Sequence, residues 1–325
     1  MSSNTSIEWC DHTFNPWTGC TKVSPGCDHC YAEGWAKRSG QVQWGPQAAR
    51  RRTSSANWNL PRRWNAQAEA FRAQHGRRQR VFCASLADVF DNAVEREWRD
   101  DLATLILNTP GLDWLLLTKR IGNAGAMLGE MFLNGPPDNL WLGATICNPD
   151  EADRDITKLL RVPARVRFLS MEPLLAHIDL RLKCPNWSDD IVMDPETGAY
   201  ECCRACDYTG IGNDIDWVIV GGESGPGARP MHPDWARSLR NQCEAAGVPF
   251  LFKQWGDWRA PQPGEEFDTS LGMAQRVPAF IVAHDGSVHC FHNDQASAGS
   301  TPMLRVGKKS AGRELDGRTH DEFPS

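Results

Sequence analysis

"WVIVGGESGPGARPMHPDWARSLRNQCEAAGVPFLFKQW", residues 217–255, contains the unit from which the fold is read. Its first four residues form an unbroken apolar run, the pattern of a strand buried on both faces. Gly221-Gly222-Glu223-Ser224-Gly225 then ends the run in glycine and polar chemistry. A helix is expected over 233–246, because His232-Pro233-Asp234 sets proline near its start and Gly247 is a good C-cap. Residues 249–252 read as a second strand, closed by Lys253-Gln254-Trp255. Strand, helix and strand in this order build a parallel sheet.

Working outward, the same alternation recurs. Strands are expected at 80–84, 113–117, 140–145 and 166–169, and helices at 95–108, 123–132 and 150–160. The reading is an α/β fold, a partial or full (β/α) barrel or an open α/β sheet. Each strand runs into polar residues: Ser85-Leu86-Ala87-Asp88, Thr118-Lys119-Arg120, Ile146-Cys147-Asn148 and Ser170-Met171-Glu172-Pro173, besides the two endings already quoted. In parallel α/β architectures the ligand site is built at the C-terminal ends of the strands, so these endings are expected to converge on one pocket.

A chain of 325 residues, 41% of them hydrophobic, can fill a sizeable core. Its N-terminus MSSNTSIEW is polar and its apolar runs are too short to cross a bilayer, so a cytoplasmic protein is expected. The net charge of −6 hides an asymmetry. Residues 37–80 hold eleven Lys or Arg against one acid, Glu69, which makes this segment about +10 and the remainder about −16. Trp44, Trp58 and Trp64 lie among Arg50-Arg51-Arg52, Arg62-Arg63 and Arg77-Arg78. Cations for phosphates and rings for base stacking make a nucleic-acid surface; a solvated basic face with tryptophans anchored in the core explains the pattern equally.

Twelve cysteines in a reducing compartment point to metal or redox chemistry. In "GCTKVSPGCDHCYAEGWAKR", residues 19–38, Cys20, Cys27 and Cys30 fall within eleven residues. A strand over 7–14 is expected before this loop and a helix over 28–38 after it, which sets the thiols at the same barrel mouth. Three thiolates can hold three irons of a 4Fe-4S cluster and leave the fourth open. Structural zinc needs a fourth ligand, for which Cys10, His12 and His29 are candidates.

Cys-x6-Cys-x2-Cys-Tyr after a first strand resembles a variant of the radical S-adenosylmethionine signature, with spore photoproduct lyase as a distant relative; the usual loop has three residues between its first two cysteines. Most of the chain resembles a phage-associated three-Cys-motif family of uncharacterised function. The matching stretches are Trp9-Cys10 through Asn15-Pro16-Trp17-Thr18-Gly19-Cys20, Cys27-Asp28-His29-Cys30-Tyr31-Ala32, Leu117-Thr118-Lys119-Arg120, Ser170-Met171-Glu172-Pro173, 217–225, Phe252-Lys253-Gln254-Trp255-Gly256 and Arg305-Val306-Gly307-Lys308-Lys309. The resemblance implies that Cys20, Cys27 and Cys30 bind a 4Fe-4S cluster and that S-adenosylmethionine, fed one electron by a donor, yields a 5′-deoxyadenosyl radical. It also implies that His29 lies beside the adenine, Ser85 near the amino-acid end, Thr118 or Thr145 near the ribose, and Glu172 with Gly221 and Gly222 near ribose or adenine. Lys253 joins Glu172 as a group expected to face the cluster loop, where a lysine can meet a carboxylate or a substrate phosphate.

The barrel is assigned to 1–258, interrupted at 183–214 by a segment that resembles a zinc ribbon. Cys203-x2-Cys206 forms one knuckle, and Cys184 with Cys202 would complete a four-sulfur site. An Asp194-Pro195-Glu196-Thr197-Gly198 turn lies between its arms. Residues 259–325 read as an extension with a hairpin of 280–283 and 287–291 about His284-Asp285-Gly286, where His284, His289, Cys290 and His292 are less a metal site than a solvated hairpin. Two functions follow: a radical S-adenosylmethionine enzyme acting on a nucleic acid or nucleotide, or a zinc-stabilised nucleic-acid-binding protein without redox chemistry.

Overall fold

The computed structural model describes residues 5, 7–180, 214–262, 265, 279–290 and 299–324. The chain divides into two compact units, residues 1–145 with 157–170, and residues 146–156 with 171–325. In chain order the elements through the first parallel strands are β1 (His12–Thr13), β2 (Trp17–Thr18), α1 (Tyr31–Ser39), β3 (Arg51–Arg52), α2 (Ser55–Trp58), α3 (Leu60–Ala66), α4 (Ala68–His75), β4 (Gln79–Cys83), α5 (Arg96–Leu107), β5 (Leu112–Thr118), α6 (Ile121–Met131), β6 (Leu140–Thr145), α7 (Pro149–Leu160) and β7 (Val166–Met171).

In the first unit β1, β4, β5, β6 and β7 pair in parallel in that order; α5 joins β4 to β5 and α6 joins β5 to β6. Strands that follow one another in space as in sequence, joined by helices, have the topology of a partial (β/α) barrel, and the α/β reading holds. β4, β5 and β6 are buried almost end to end, because a strand covered on both faces has no solvent side to mark with polar residues. A short antiparallel pair, β2 with β3, sits beside them.

Two expected boundaries moved by several residues, each for a local reason. The strand sought over 7–14 pairs only at His12 and Thr13, because the Asp11 carboxylate takes the Arg80 backbone N–H at 2.7 Å and the Arg77 guanidinium at 2.7 and 2.9 Å. The helix sought from residue 28 begins at Tyr31, since Pro25–Cys27 forms a 3-10 turn whose first N–H groups are capped by Ser24. Helices α2, α3 and α4 were unexpected. α4 buries none of its residues and α3 only Pro61 and Trp64, so no apolar stripe marks them.

The second unit contains β8 (Trp217–Gly221), α8 (Pro233–Ala246) and β9 (Phe250–Gln254), with β8 and β9 paired in parallel. α8 has the expected bounds: His232 Nδ1 accepts from the Asp234 N–H at 3.1 Å, and Gly247 closes the helix at φ 67°. β10 (Trp258–Arg259), β11 (Ala279–Val282), β12 (Val288–Cys290) and β13 (Thr301–Arg305) form an antiparallel sheet ordered β10-β13-β11-β12, followed by α9 (Lys308–Ala311). The expected hairpin is the pairing of β11 with β12. The zinc-ribbon reading of 183–214, with Cys184, Cys202, Cys203 and Cys206, lies outside the described residues, as does His292. Among the described residues no helix is long and apolar enough to cross a membrane.

Candidate functional site

In the first unit the cysteine loop leaves β2 and enters α1. Gly19, immediately before Cys20, has φ +103°, and a Cβ there would lie 3.0 Å from Val42 and 3.3 Å from the Arg50 side chain, so only glycine turns the chain at this point. The Gly19 N–H bonds the Leu86 carbonyl at 3.1 Å, and Asn15 receives the Leu86 N–H at 2.7 Å while donating to Ser85 Oγ at 3.0 Å. The Tyr31 hydroxyl donates to the Ser85 carbonyl. Residues 15–31 are thereby fastened to the C-terminal end of β4.

A buried ionic network holds the loop from the other side. Thr118 at the end of β5 gives its hydroxyl to Asp88 at 2.8 Å, and Asp88 also meets the Arg120 guanidinium at 3.1 Å. Arg120 Nη1 reaches Cys20 Sγ at 3.3 Å, and its Nη2 donates to the Thr21 carbonyl at 2.7 Å. Arg50 pairs with Asp91 at 2.7 Å and donates to the Thr21 hydroxyl at 2.8 Å. Burial pushes the Cys20 thiol up to about 11, and the Arg120 charge pulls against that. For Arg120, burial disfavours the charge, but Asp88, Cys20 and Asp91 outweigh it and raise its pKa.

Among the residues read from sequence, Cys27 is buried, Cys20 and Cys30 are half-buried, and His29 is exposed. Cys30 is the N-cap of α1 and makes no side-chain capping bond. Thr145 is buried at the end of β6, where its hydroxyl accepts from Lys119 at 3.4 Å. The structure thus brings Cys20, Ser85, Thr118 and Thr145 to the C-terminal ends of neighbouring strands. His12, a candidate fourth zinc ligand, is instead stacked flat on Trp64 at 4.1 Å and bonded to Gln79 at 2.7 Å.

The donor set fits an iron-sulfur cluster. Cys20, Cys27 and Cys30 are thiols in no disulfide, they share one loop, and a guanidinium stands beside the first. Among the described residues no three His, Cys, Asp or Glu side chains are gathered about a single metal ion. A cluster differs from one ion in that each thiolate meets its own iron.

In the second unit Glu172, Gly221, Gly222 and Lys253 come together. Lys253 Nζ lies 2.7 and 2.8 Å from the two Glu172 carboxylate oxygens, and Gln254 donates to Glu172 at 3.2 Å and to the Gly222 carbonyl at 2.8 Å. A Cβ on Gly222 would fall 2.0 Å from the Trp255 carbonyl oxygen, so the backbones touch where β8 and β9 end. The following loop is braced by Arg229, which grips Glu223 at 2.7 and 2.8 Å, and by Arg305, which donates to the Gly225 carbonyl at 2.8 Å. Arg120 and Arg50, which meet Cys20 and Thr21, and their counter-ions Asp88 and Asp91 were missed from sequence as a set. The legible mark of Asp88 and Arg120 was opposite charge after the adjacent strands β4 and β5.

A family model described as a protein of unknown function, DUF5131, matches residues 4–324. The chain belongs to the DUF5131 family. That description attaches neither an activity nor phages to its members. No curated protein matches the chain. A solved structure of a spore photoproduct lyase mutant with bound AdoMet and dinucleoside spore photoproduct is similar at 12% identity and a TM-score of 0.34, over 52% of this chain and 47% of that one. This DUF5131 protein therefore spans about half the length of that lyase chain.

The basic segment of the first unit is largely spent on the protein itself. Arg50 is buried on Asp91, Arg52 lies 4.3 Å over Trp58 and 2.6 Å from Asp101, Arg77 pairs with Asp11, and Arg78 pairs with Asp113 at 3.3 Å. Burial, then the Arg77 charge, lowers Arg80 to about 10. Trp64 is buried in the core and stacked on His12, and Trp58 is half-buried and edge-on to Phe14. Arg38, Arg62, Arg63 and Arg72 are exposed, with no ion pair among the described residues.

Three histidines of the second unit predict an acid-sensitive fold. Burial first, then His284, lowers His177; burial lowers His232 and His320 as well. Asp179 and Asp234 oppose the shift, and Arg237 and Arg318 add to it. A lowered folded-state pKa leaves the unfolded chain holding more protons below its own value of about 6.5. Stability is therefore full above that pH and falls as pH drops through it toward the folded values. Thermal unfolding followed by circular dichroism should show Tm falling from pH 7.5 to pH 5, and a Tm constant over this range would refute the assignment.

Proposed function

We propose that this protein is a radical S-adenosylmethionine enzyme that carries a 4Fe-4S cluster on Cys20, Cys27 and Cys30 and acts on a nucleic acid or nucleotide. The observation that carries the proposal is the three-thiol loop, fastened to the C-terminal end of β4 within a parallel sheet whose strands end in polar groups. The resemblance of Cys-x6-Cys-x2-Cys-Tyr to the radical S-adenosylmethionine signature supports it. When bound and reduced by one electron from an external donor, such a cluster supplies the electron that breaks the C5′–S bond of S-adenosylmethionine, giving methionine and a 5′-deoxyadenosyl radical.

The residues of the chain have separate tasks in this reading. Three protein thiolates are one fewer than four irons require, which leaves a position for the amino-acid end of the cofactor. Ser85, Thr145 and His29 offer hydroxyl and imidazole groups to that cofactor, while Thr118 acts through Asp88. In the second unit Glu172 is held in one orientation by Lys253 and Gln254, a carboxylate fixed to accept from hydroxyl groups, and Gly221 and Gly222 offer bare backbone. Arg38, Arg62, Arg63 and Arg72 are the cations for phosphate contact.

Anaerobic reconstitution with iron and sulfide tests the proposal. A brown protein is expected that, given dithionite and S-adenosylmethionine, slowly releases 5′-deoxyadenosine. Glu172→Ala should lower that release while iron content stays unchanged. A colourless protein holding only zinc favours the binding module instead. Absence of both 5′-deoxyadenosine and calorimetric S-adenosylmethionine binding in wild type overturns the radical mechanism.

A further inference from the structure

Behind the cysteine loop of the first unit, four charged side chains are withdrawn from water: Arg50, Arg120, Asp88 and Asp91, with side-chain exposures of 1%, 10%, 7% and 6%. Buried ions are costly unless paired and fully hydrogen-bonded, and such groups often fix one geometry in preference to adding stability. Here the charges balance, Arg50 with Asp91 and Arg120 with Asp88, and what they fix is Thr21. Arg120 takes its carbonyl and Arg50 its hydroxyl. The Cys20 carbonyl is also held, by the Gly45 N–H at 3.0 Å. After Asp88 and Thr21 are served, Arg120 still directs Nη1 at Cys20 Sγ, 3.3 Å away. A lysine could not do this, for it is a point charge without the planar fork that reaches a carboxylate, a carbonyl and a sulfur together.

We infer that Arg120 is the positioning residue for the first cluster ligand and the N–H···S donor that raises the reduction potential of the cluster; the inference rests on the iron-sulfur reading above. Hydrogen bonds to cluster sulfurs are among the determinants of potential. A donor beside a thiolate favours the reduced, more negative state. Loss of Arg120 should make the cluster harder to reduce.

The test compares wild type with Arg120→Lys and with the charge-balanced pair Arg120→Met and Asp88→Asn. After anaerobic reconstitution, iron per chain is measured and the reduced fraction is followed by electron paramagnetic resonance at fixed solution potentials. The expected result is a reduced-to-oxidised ratio roughly tenfold lower in Arg120→Lys, which for one electron is about 59 mV. Hydrogen exchange of residues 19–23 in the metal-free protein should be faster in the same variant. If the double variant does not fold, Arg120→Lys decides. Reduced iron content with an unchanged potential in the cluster that does form would overturn the donor role, because a merely structural residue acts that way. Wild type that takes up no iron would defeat the proposed function, and exchange at 19–23 would then decide the positioning role alone: faster in Arg120→Lys upholds it, unchanged refutes it.

Discussion

Arg50→Glu should remove much or all of the fold's stability, whereas Arg51→Glu should leave it nearly unchanged. The two residues are neighbours in a run of three arginines, yet Arg50 has 1% of its side chain exposed and meets Asp91 at 2.7 Å. Its remaining donors serve the Gly45 and Ala48 carbonyls and the Thr21 hydroxyl. Removing one partner of a buried ion pair costs about 3–5 kcal/mol, and the substitution also sets a second carboxylate against Asp91. Total stability is about 5–15 kcal/mol, so this loss with the added repulsion removes much of it and all of it in a chain at the lower end. Arg51 is exposed and, among the described residues, its side chain bonds only Gln41, a contact worth at most about 0.5 kcal/mol at a surface. Soluble yield and urea midpoints of the two variants decide the matter, and equal midpoints would refute the burial argument. A charge reversal of Arg50-Arg51-Arg52 as one patch therefore cannot test nucleic-acid binding. Arg62, Arg63 and Arg72 can be reversed for that purpose.

This contrast shows where the sequence was legible. Runs such as 140–145 and 217–220 announced buried strands because a residue covered on both faces must be apolar, and the ends of α8 were written in His232-Pro233-Asp234 and Gly247. The polar strand endings were legible for the same reason, since a strand that leaves the core must change chemistry. What lay hidden was pairing between distant residues. Nothing in Arg50-Arg51-Arg52 says which arginine turns inward; that is decided by Asp91, 41 positions on, and by the turn at Gly19. Likewise Trp64 reads as a stacking platform until His12 is found against its face. The Arg120 contact with Cys20 spans 100 positions, and only the register of β5 beside β4 brings them together.

Replacing any one of Cys20, Cys27 or Cys30 by Ala should strip most of the iron from the reconstituted protein. In the proposed site each thiolate is the protein's only bond to its iron, so no neighbour takes over when one is lost. Changes one shell further out already weaken metal binding by about 10–100-fold, and loss of a ligand costs at least as much. Cys243→Ala is the control. It lies fully buried on α8, and burial pushes its thiol up to about 12, which makes it a packing group and a poor ligand. Its removal should cost modest stability and no iron. The loop variants should remain folded in the apo form, because Cys20 and Cys30 are only half-buried and the loop is held by Gly19, Thr21 and Asn15 independently of sulfur. Iron and acid-labile sulfide per folded chain, with circular dichroism to verify folding, give the result. Full iron in all three loop variants, or equal loss in Cys243→Ala, would mean that these thiols are not the ligands.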